Sequence, residues 1–255
     1  MTAPATVSPL ATYALRLGDD ALVLAQRLSE WSAKAPELEE DVALTNIALD
    51  LLGQARALLS YAGEVEGEGR DEDALAFLRE ERDFYNVQLV EQPNGDFAQT
   101  IARQLFFSTW QLALYDALTS STDETIAAVA AKGVKEVAYH RDHAVQWTLR
   151  LGDGTPESHQ RMQAGVDRMW HFVAELFTSD DVERSLAGQG IAVDVSTLRT
   201  GWEETVAAVL EEATLERPDA SWTARGGRRG IHSESFGYLL AEMQHLHRSH
   251  PGAGW

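Results

Sequence analysis

The chain has 255 residues, no cysteine, and 21 basic against 40 acidic residues, which gives a formal charge of −19 at pH 7. This length can bury a large core in one domain, and the lack of cysteine excludes disulfides, zinc-thiolate sites and thiol nucleophiles. The negative charge disfavours nucleic acid and anionic membranes as partners, whereas a basic protein partner stays open. We find neither an uninterrupted apolar segment of membrane-spanning length nor the regions of a signal peptide, so we expect a cytoplasmic protein.

Apolar periodicity predicts an all-α protein with nine helices and no sheet. The helices are expected over residues 10–32, 37–63, 71–90, 97–119, 123–151, 156–177, 180–187, 196–215 and 235–248. We expect residues 1–255 to form one domain with a flexible N-terminus over about residues 1–8. The helices that begin near Leu10, Glu37, Phe97 and Asp123 are predicted to form an antiparallel four-helix core, with the others packed around it.

Several predicted boundaries have chemical markers. Asp123 precedes Glu124, and Thr155 precedes Pro156, which places a capping side chain at each helix start. Gly63 and the turn at residues 92–95 stand where helices are expected to end.

The second predicted helix is apolar over most of its circumference. Leu44, Ile47 and Leu51 belong to a broad apolar face, and Leu38, Val42 and Leu49 extend it. A helix of this kind is expected inside a bundle.

A polar strip on the same helix carries Asn46, Asp50 and Gln54 at four-residue steps. The strip can hydrogen-bond to neighbouring helices or to water, or it can be what remains of a metal site. Two of its three side chains are neutral amides, which offer iron no anionic oxygen.

The fifth predicted helix carries Glu136, His140 and His143 on one face. A carboxylate-bridged di-iron bundle needs two single Glu ligands and two Glu-x-x-His pairs. Here residue 139 is Tyr, and the one Glu-x-x-His of the sequence, Glu242 with His245, lies near the end, where we expect a solvated helix flank. Glu136 and His140 are open to three interpretations: a structural or surface pair, a degenerate metal position, or a working metal site.

Six segments carry a family resemblance. They are residues 13–19 (YALRLGD), 35–41 (APELEED), 50–56 (DLLGQAR), 90–97 (VEQPNGDF), 190–194 (GIAVD) and 240–244 (LAEMQ). Together they resemble the PaaC-type subunits of phenylacetyl-CoA epoxidases, also called ring 1,2-phenylacetyl-CoA monooxygenases, from Tyr13 to Trp255.

The resemblance implies a ferritin-like fold and a non-catalytic, structural role in aerobic phenylacetate catabolism. It also implies a homologous catalytic subunit that holds the di-iron centre and epoxidises the ring. On this basis we expect no cofactor and no catalytic residue in this chain, and we name Glu136, His140 and Asp50 as degenerate metal positions only.

Two segments are candidates for contact with coenzyme A. The glycine-rich loop holds Arg225, Arg228 and Arg229. These residues can bind phosphates or an acidic surface of a partner, or the loop can be only a connection. We expect the removal of the three arginines to leave the stability of the protein almost unchanged. The second segment is Asp83, Phe84, Tyr85 and Asn86, whose aromatic and amide groups can meet an adenine or pantetheine arm. Packing in a core or an interface is the alternative for Phe84 and Tyr85.

The main rival to a structural subunit is a metal-dependent oxygenase or oxidase with its own atypical site, built from Glu136, His140 and Asp50. A ferritin-like storage protein is disfavoured by the same missing ligands. Metal analysis of the isolated chain separates the structural subunit from the enzyme.

Overall fold

The computed structural model describes residues 8–253 of the chain. These residues contain ten α-helices and four short 3₁₀ turns. The helices are α1 (Pro9–Ser29), α2 (Leu38–Glu66), α3 (Glu72–Phe77), α4 (Gln88–Glu91), α5 (Phe97–Leu118), α6 (Glu124–Gly152), α7 (Pro156–Trp170), α8 (Asp181–Ala187), α9 (Arg199–Glu212) and α10 (Glu234–Ser249). No β-strand occurs between residues 8 and 253, so the all-α prediction is confirmed. The expected flexible N-terminus lies outside the described residues except for Ser8.

The core consists of two helical hairpins, α1 with α2 and α5 with α6, as the sequence predicted. Gly18 in the middle of α1 meets Leu59 near the end of α2, and Ala33 in the connecting loop donates to Asp41 near the start of α2, so the pair is antiparallel. The hairpins meet between α2 and α6, where Asp50 contacts His140. This contact positions the polar layer that forms the candidate site.

The predicted helix starts at Asp123 and Thr155 are confirmed. Asp123 accepts a hydrogen bond from the backbone N–H of Ile126, and Thr155 forms a reciprocal cap with Ser158. The predicted stop at Gly63 is wrong, because α2 continues to Glu66 and ends at Gly67 in the left-handed conformation. Gly63 instead allows the backbone of Arg70 to pack closely against α2, since a Cβ at residue 63 would lie 2.0 Å from the carbonyl oxygen of Arg70.

The third predicted helix, over residues 71–90, does not form as one element. It breaks into α3, a 3₁₀ turn, an extended segment and the short α4. The reason is that Tyr85 and Val87 donate their backbone N–H groups to Asp19 and Asp20 of α1, each at 2.8 Å, rather than to a preceding helical turn. The predicted helix over residues 156–177 also divides, because α7 ends at Trp170 and a 3₁₀ turn follows.

The four core helices differ in how much of their surface is covered. α1 and α5 are buried over almost their whole circumference. α2 and α6 are buried on one face and open on the other. α2 lies in the bundle as predicted, but the extension of its apolar face is not covered, since Leu38, Val42 and Leu49 are 76%, 55% and 59% exposed.

α2 is the one helix of residues 8–253 whose length and hydropathy would suffice to cross a membrane. Its buried face packs against α1 and α6 in the bundle, and the core helix of a folded domain has the same composition. Composition alone therefore gives only weak support for a membrane span.

Candidate functional site

A polar layer between α2 and α6 brings together the three residues named as degenerate metal positions. His140 lies 3.0 Å from Asp50, measured from Nε2 to Oδ2, and it is almost fully buried. One turn away, the side-chain amide of Gln54 donates to Glu136 at 2.9 Å. Asp50, His140 and Glu136 thus lie in one layer, but as partners in separate hydrogen bonds.

Gln54 is the centre of this layer. Its Oε1 accepts hydrogen bonds from the Gln111 amide at 3.0 Å and from the Tyr115 hydroxyl at 3.1 Å, both on α5. Tyr115 reaches this position because α6 has Gly133 opposite it, where a Cβ would lie 2.5 Å from the tyrosine ring. The Gln54 amide therefore links α2, α5 and α6, and it offers a metal ion no anionic oxygen.

The remaining acids of the layer are also engaged. His143 lies 2.8 Å from Glu40, measured from Nε2 to Oε2, and Lys132 lies 3.5 Å from Glu136. Tyr139, which replaces the histidine of a Glu-x-x-His pair, is half exposed. Between residues 8 and 253 no three His, Cys, Asp or Glu side chains are arranged to hold a metal ion. A di-iron centre does not fit this donor set.

The prediction of a hydrogen-bonded strip on α2 is confirmed for Asp50 and Gln54. Asn46 differs, since it is exposed on the open face of the helix. Burial lowers the pKa of His140, and the hydrogen bond and charge of Asp50 oppose this effect only in part. A neutral imidazole that donates to Asp50 fits this environment.

The aromatic and amide candidates for coenzyme A contact are mostly enclosed. Phe84 and Asn86 have no exposed surface. The Arg79 guanidinium lies 4.1 Å from the Phe84 ring centroid, and the Asn86 amide donates to Glu91 at 2.9 Å. Ligand contact is therefore not available to these two side chains in this fold. Asp83 is exposed and Tyr85 is partly buried.

The glycine-rich loop binds an anion, but the anion belongs to the protein. The backbone N–H groups of Gly226 and Gly227 both donate to Oε1 of Glu175 at 2.8 Å. Arg228 points inward and donates to Asp20 at 2.7 Å. Arg225 and Arg229 are exposed and keep the expected surface position.

The flank at Glu242 and His245 is exposed, as expected. It contributes no ligand to the polar layer, which lies in the four-helix core.

Two comparisons bear on the family. The family model described as phenylacetic acid catabolic protein matches residues 1–255. The chain belongs to this family. It is 53% identical over 249 residues to the C subunit of the 1,2-phenylacetyl-CoA epoxidase of Escherichia coli strain K12, a match that covers 98% of this chain and 100% of the relative. The phenylacetic acid catabolic family is ferritin-like, and the helical bundle of this member agrees with that fold.

A second set of buried charges in this member of the phenylacetic acid catabolic family was not predicted from its motifs. Asp19, Asp20, Glu91 and Glu175 are all buried, and each holds a segment that is distant in sequence. The signal for the first two is present, because consecutive acids stand in the middle of α1 between mainly apolar residues. Such acids are rarely buried without partners, so they predict long-range hydrogen bonds.

Proposed function

We propose that this chain is a non-catalytic, structural subunit of a phenylacetyl-CoA ring 1,2-epoxidase complex in phenylacetate catabolism. It supports a homologous subunit that holds the di-iron centre and carries out the epoxidation. The observation that carries the proposal is the Gln54 amide at the centre of the α2–α6 layer, where it bonds Gln111, Tyr115 and Glu136. The naming of the E. coli relative as an epoxidase subunit adds support.

The acidic side chains of the layer are not free to bind iron. A di-iron site needs about four carboxylates and two imidazoles that converge. Here Asp50 is engaged with His140, Glu40 with His143, and Glu136 with Gln54 and Lys132. Each potential ligand stabilises the bundle in its present pairing, so the layer acts as an internal hydrogen-bond network that fixes α2 against α6.

The proposal places the chain in the cytoplasm, with the catalytic subunit as partner and without nucleic acid or membrane. Phenylacetyl-CoA approaches the interface between the two subunits. On this chain the exposed Arg225 and Arg229, with Asp83 and Tyr85, remain the candidates for contact with the coenzyme A part. The net charge of −19 makes exposed arginines valuable for binding phosphates.

The test combines metal analysis with reconstitution. The isolated chain is expected to contain no stoichiometric iron or manganese after purification and after incubation with Fe²⁺. Glu136→Gln and Asp50→Asn each leave the side chain's size unchanged and remove a charge, and we expect both variants to support full epoxidation when combined with the catalytic subunit and the reductase.

The rival oxygenase with its own metal site predicts the opposite outcome. Loss of turnover together with loss of iron bound to this chain, in a variant with unchanged circular dichroism, would overturn the structural role. One observation favours an oxygenase with its own metal site, namely that Asp50, His140 and Glu136 share one layer.

A further inference from the structure

The open face of α2 carries an ordered series of apolar side chains. Leu38, Val42, Leu49 and Leu52 are exposed by 76%, 55%, 59% and 39%. Thr45, half-buried, stands between Val42 and Leu49. The five positions follow one another at steps of four, three, four and three residues, and we call them the α2 seam.

This spacing is that of the contact positions in a coiled coil. Alternating steps of three and four keep apolar side chains in line along a helix, where each can insert between four side chains of a second helix. Single exposed leucines are ordinary on protein surfaces. Four exposed apolar side chains and one threonine in coiled-coil register are a specific feature, because they match the contact line of a second helix.

The seam side chains stay exposed in the structure of residues 8–253. The opposite face of α2, with Leu44, Ile47 and Leu51, is buried in the core of the chain itself. α2 therefore has two apolar faces, and the structure fills only one of them.

Neighbouring positions favour close approach of a helix. Gly53 follows Leu52, and the space that its Cβ would enter is empty to 4 Å. A missing side chain lets a second backbone come near. On the adjacent α6, Tyr139 is half exposed, and its ring lies 6.3 Å from that of His143, which bonds Glu40 of α2.

Charge at one end of the seam sets the orientation of the occupant. Glu37 and Glu39 are exposed beside Leu38, and neither forms an ion pair in the described part of the chain. Charges that flank a coiled-coil seam select the partner and its direction. A helix with Lys or Arg at the end that meets Glu37 and Glu39 is complementary.

We propose that the α2 seam is the docking site of one amphipathic helix of the partner subunit, with apolar residues at steps of three and four and basic residues facing Glu37 and Glu39. The inference rests on the proposed function, because it assigns the surface through which the structural subunit holds its partner. A second copy of this chain and a lipid surface are the competing occupants.

The first experiment compares matched surface substitutions. The double variant Leu49→Ser, Leu52→Ser is expected to weaken binding to the purified catalytic subunit by at least roughly tenfold, since each buried leucine contributes substantially to association. Leu246→Ser on α10, where the leucine is 53% exposed, is the control and should leave the affinity unchanged. All these side chains are exposed, so both variants should fold.

A second pair of variants tests the register. Thr45→Leu completes the apolar series and is expected to tighten binding, whereas Asn46→Leu adds the same side chain on the flank of the seam and is expected to tighten binding much less. Equal effects of the two would show that apolar surface alone matters and would overturn a helical seam.

A third experiment identifies the occupant. Because the chain has no cysteine, Leu49→Cys or Leu246→Cys carries the only attachment point for a photo-crosslinker. Crosslinking from position 49, and not from 246, to a partner peptide with apolar spacing of three and four supports the proposal. Crosslinking to another copy of this chain, or co-sedimentation of the chain with anionic phospholipid vesicles that the seam variants lose, would overturn it.

The two proposals fail in different ways. If the unmodified chain does not associate with the catalytic subunit, the proposed function is wrong and the seam assignment falls with it. If the unmodified chain associates and the seam variants bind equally well, the structural role stands and only the seam assignment is wrong.

Discussion

Asp20 and Arg228 join the first core helix to the glycine-rich loop 208 residues later, through a 2.7 Å hydrogen bond between a buried carboxylate and a largely buried guanidinium. Arg228 also donates to the carbonyl oxygen of Tyr85 at 2.9 Å. Burial raises the pKa of Asp20 to about 6, although Arg228 opposes this effect. One arginine therefore ties α1, the extended segment at residue 85 and the loop together.

Removal of Arg228 should consequently destabilise the fold. Arg228→Ala leaves the Asp20 carboxylate buried without its cation, and the loss of one partner from a buried pair typically costs about 3 to 5 kcal/mol. The free energy of unfolding in urea measures the effect. Arg229→Ala, an exposed change in the same loop, is the control and should stay within about 0.5 kcal/mol of the unmodified chain. Equal stability of the two variants would contradict the role of the pair.

His232 should make stability depend on pH. Nδ1 lies 2.7 Å from Glu91 and Nε2 lies 2.9 Å from the carbonyl oxygen of Phe84, so both ring nitrogens face acceptors. Burial opposes the charged form, but Glu91, that carbonyl and Glu81 outweigh it and raise the pKa of His232 above its ordinary value of 6.5. The proton is held more tightly in the folded state, so its stabilising contribution is complete below pH 6.5 and is lost as the pH rises through the raised pKa.

Urea unfolding of the unmodified chain and of His232→Asn at several pH values tests this dependence. The stability difference between the two should be largest below pH 6.5 and should shrink at higher pH. His140 gives an internal contrast, because burial lowers its pKa and its contribution is lost as the pH falls. A difference between the chain and His232→Asn that is independent of pH would show that His232 is not protonated in the fold.

Gln54→Glu should convert the central amide into an ionised side chain beside Glu136. The donor that now meets Glu136 at 2.9 Å is lost, and two carboxylates face each other. We expect a loss of about 1 to 3 kcal/mol in the metal-free variant, and partial recovery of thermal stability with Mn²⁺ or Zn²⁺, because a cation offsets the repulsion. Thermal unfolding with and without metal is the measurement. The unmodified chain should show no shift, and a variant equally stable with and without metal would contradict the prediction.

Two glycines provide a matched packing test. A Cβ at Gly227 would lie 2.2 Å from the carbonyl oxygen of Asn86, whereas a Cβ at Gly201 would meet nothing within 4 Å. Gly227→Ala should therefore lower the free energy of unfolding by at least about 1 to 3 kcal/mol. Gly201→Ala, inside α9, should raise it by roughly 0.5 to 1 kcal/mol, because alanine restricts the unfolded chain and favours a helix. Opposite signs in urea unfolding are the expected result, and the same sign for both would contradict the packing argument.

The sequence predicted the four core helices and the caps at Asp123 and Thr155 because these features are local. Apolar periodicity and a capping side chain such as Asp123 act within a few residues of their effect. The break at residues 84–87 was not predicted, since its cause lies in Asp19 and Asp20, more than 60 residues earlier.

The two faces of α2 show a different limit of prediction. Leu49 and Leu51 are equally apolar, yet the first is 59% exposed and the second is buried. A helical wheel identifies the apolar faces of a helix. It cannot distinguish a face that is buried within the same chain from one that stays exposed on its surface. The glycine-rich loop has the chemistry of an anion site, and only the structure could show that the anion is Glu175.

The acids of α1 have a consequence for how the protein acquires its fold during synthesis. Asp19 is neutralised by Arg79, and Asp20 by Arg228, so α1 depends on an arginine that is made 208 residues after Asp20. Until residue 228 leaves the ribosome, burial of α1 against α2 leaves Asp20 without its counter-charge. The hairpin of α1 and α2 can assemble early, but its native packing is completed only once residue 228 is available.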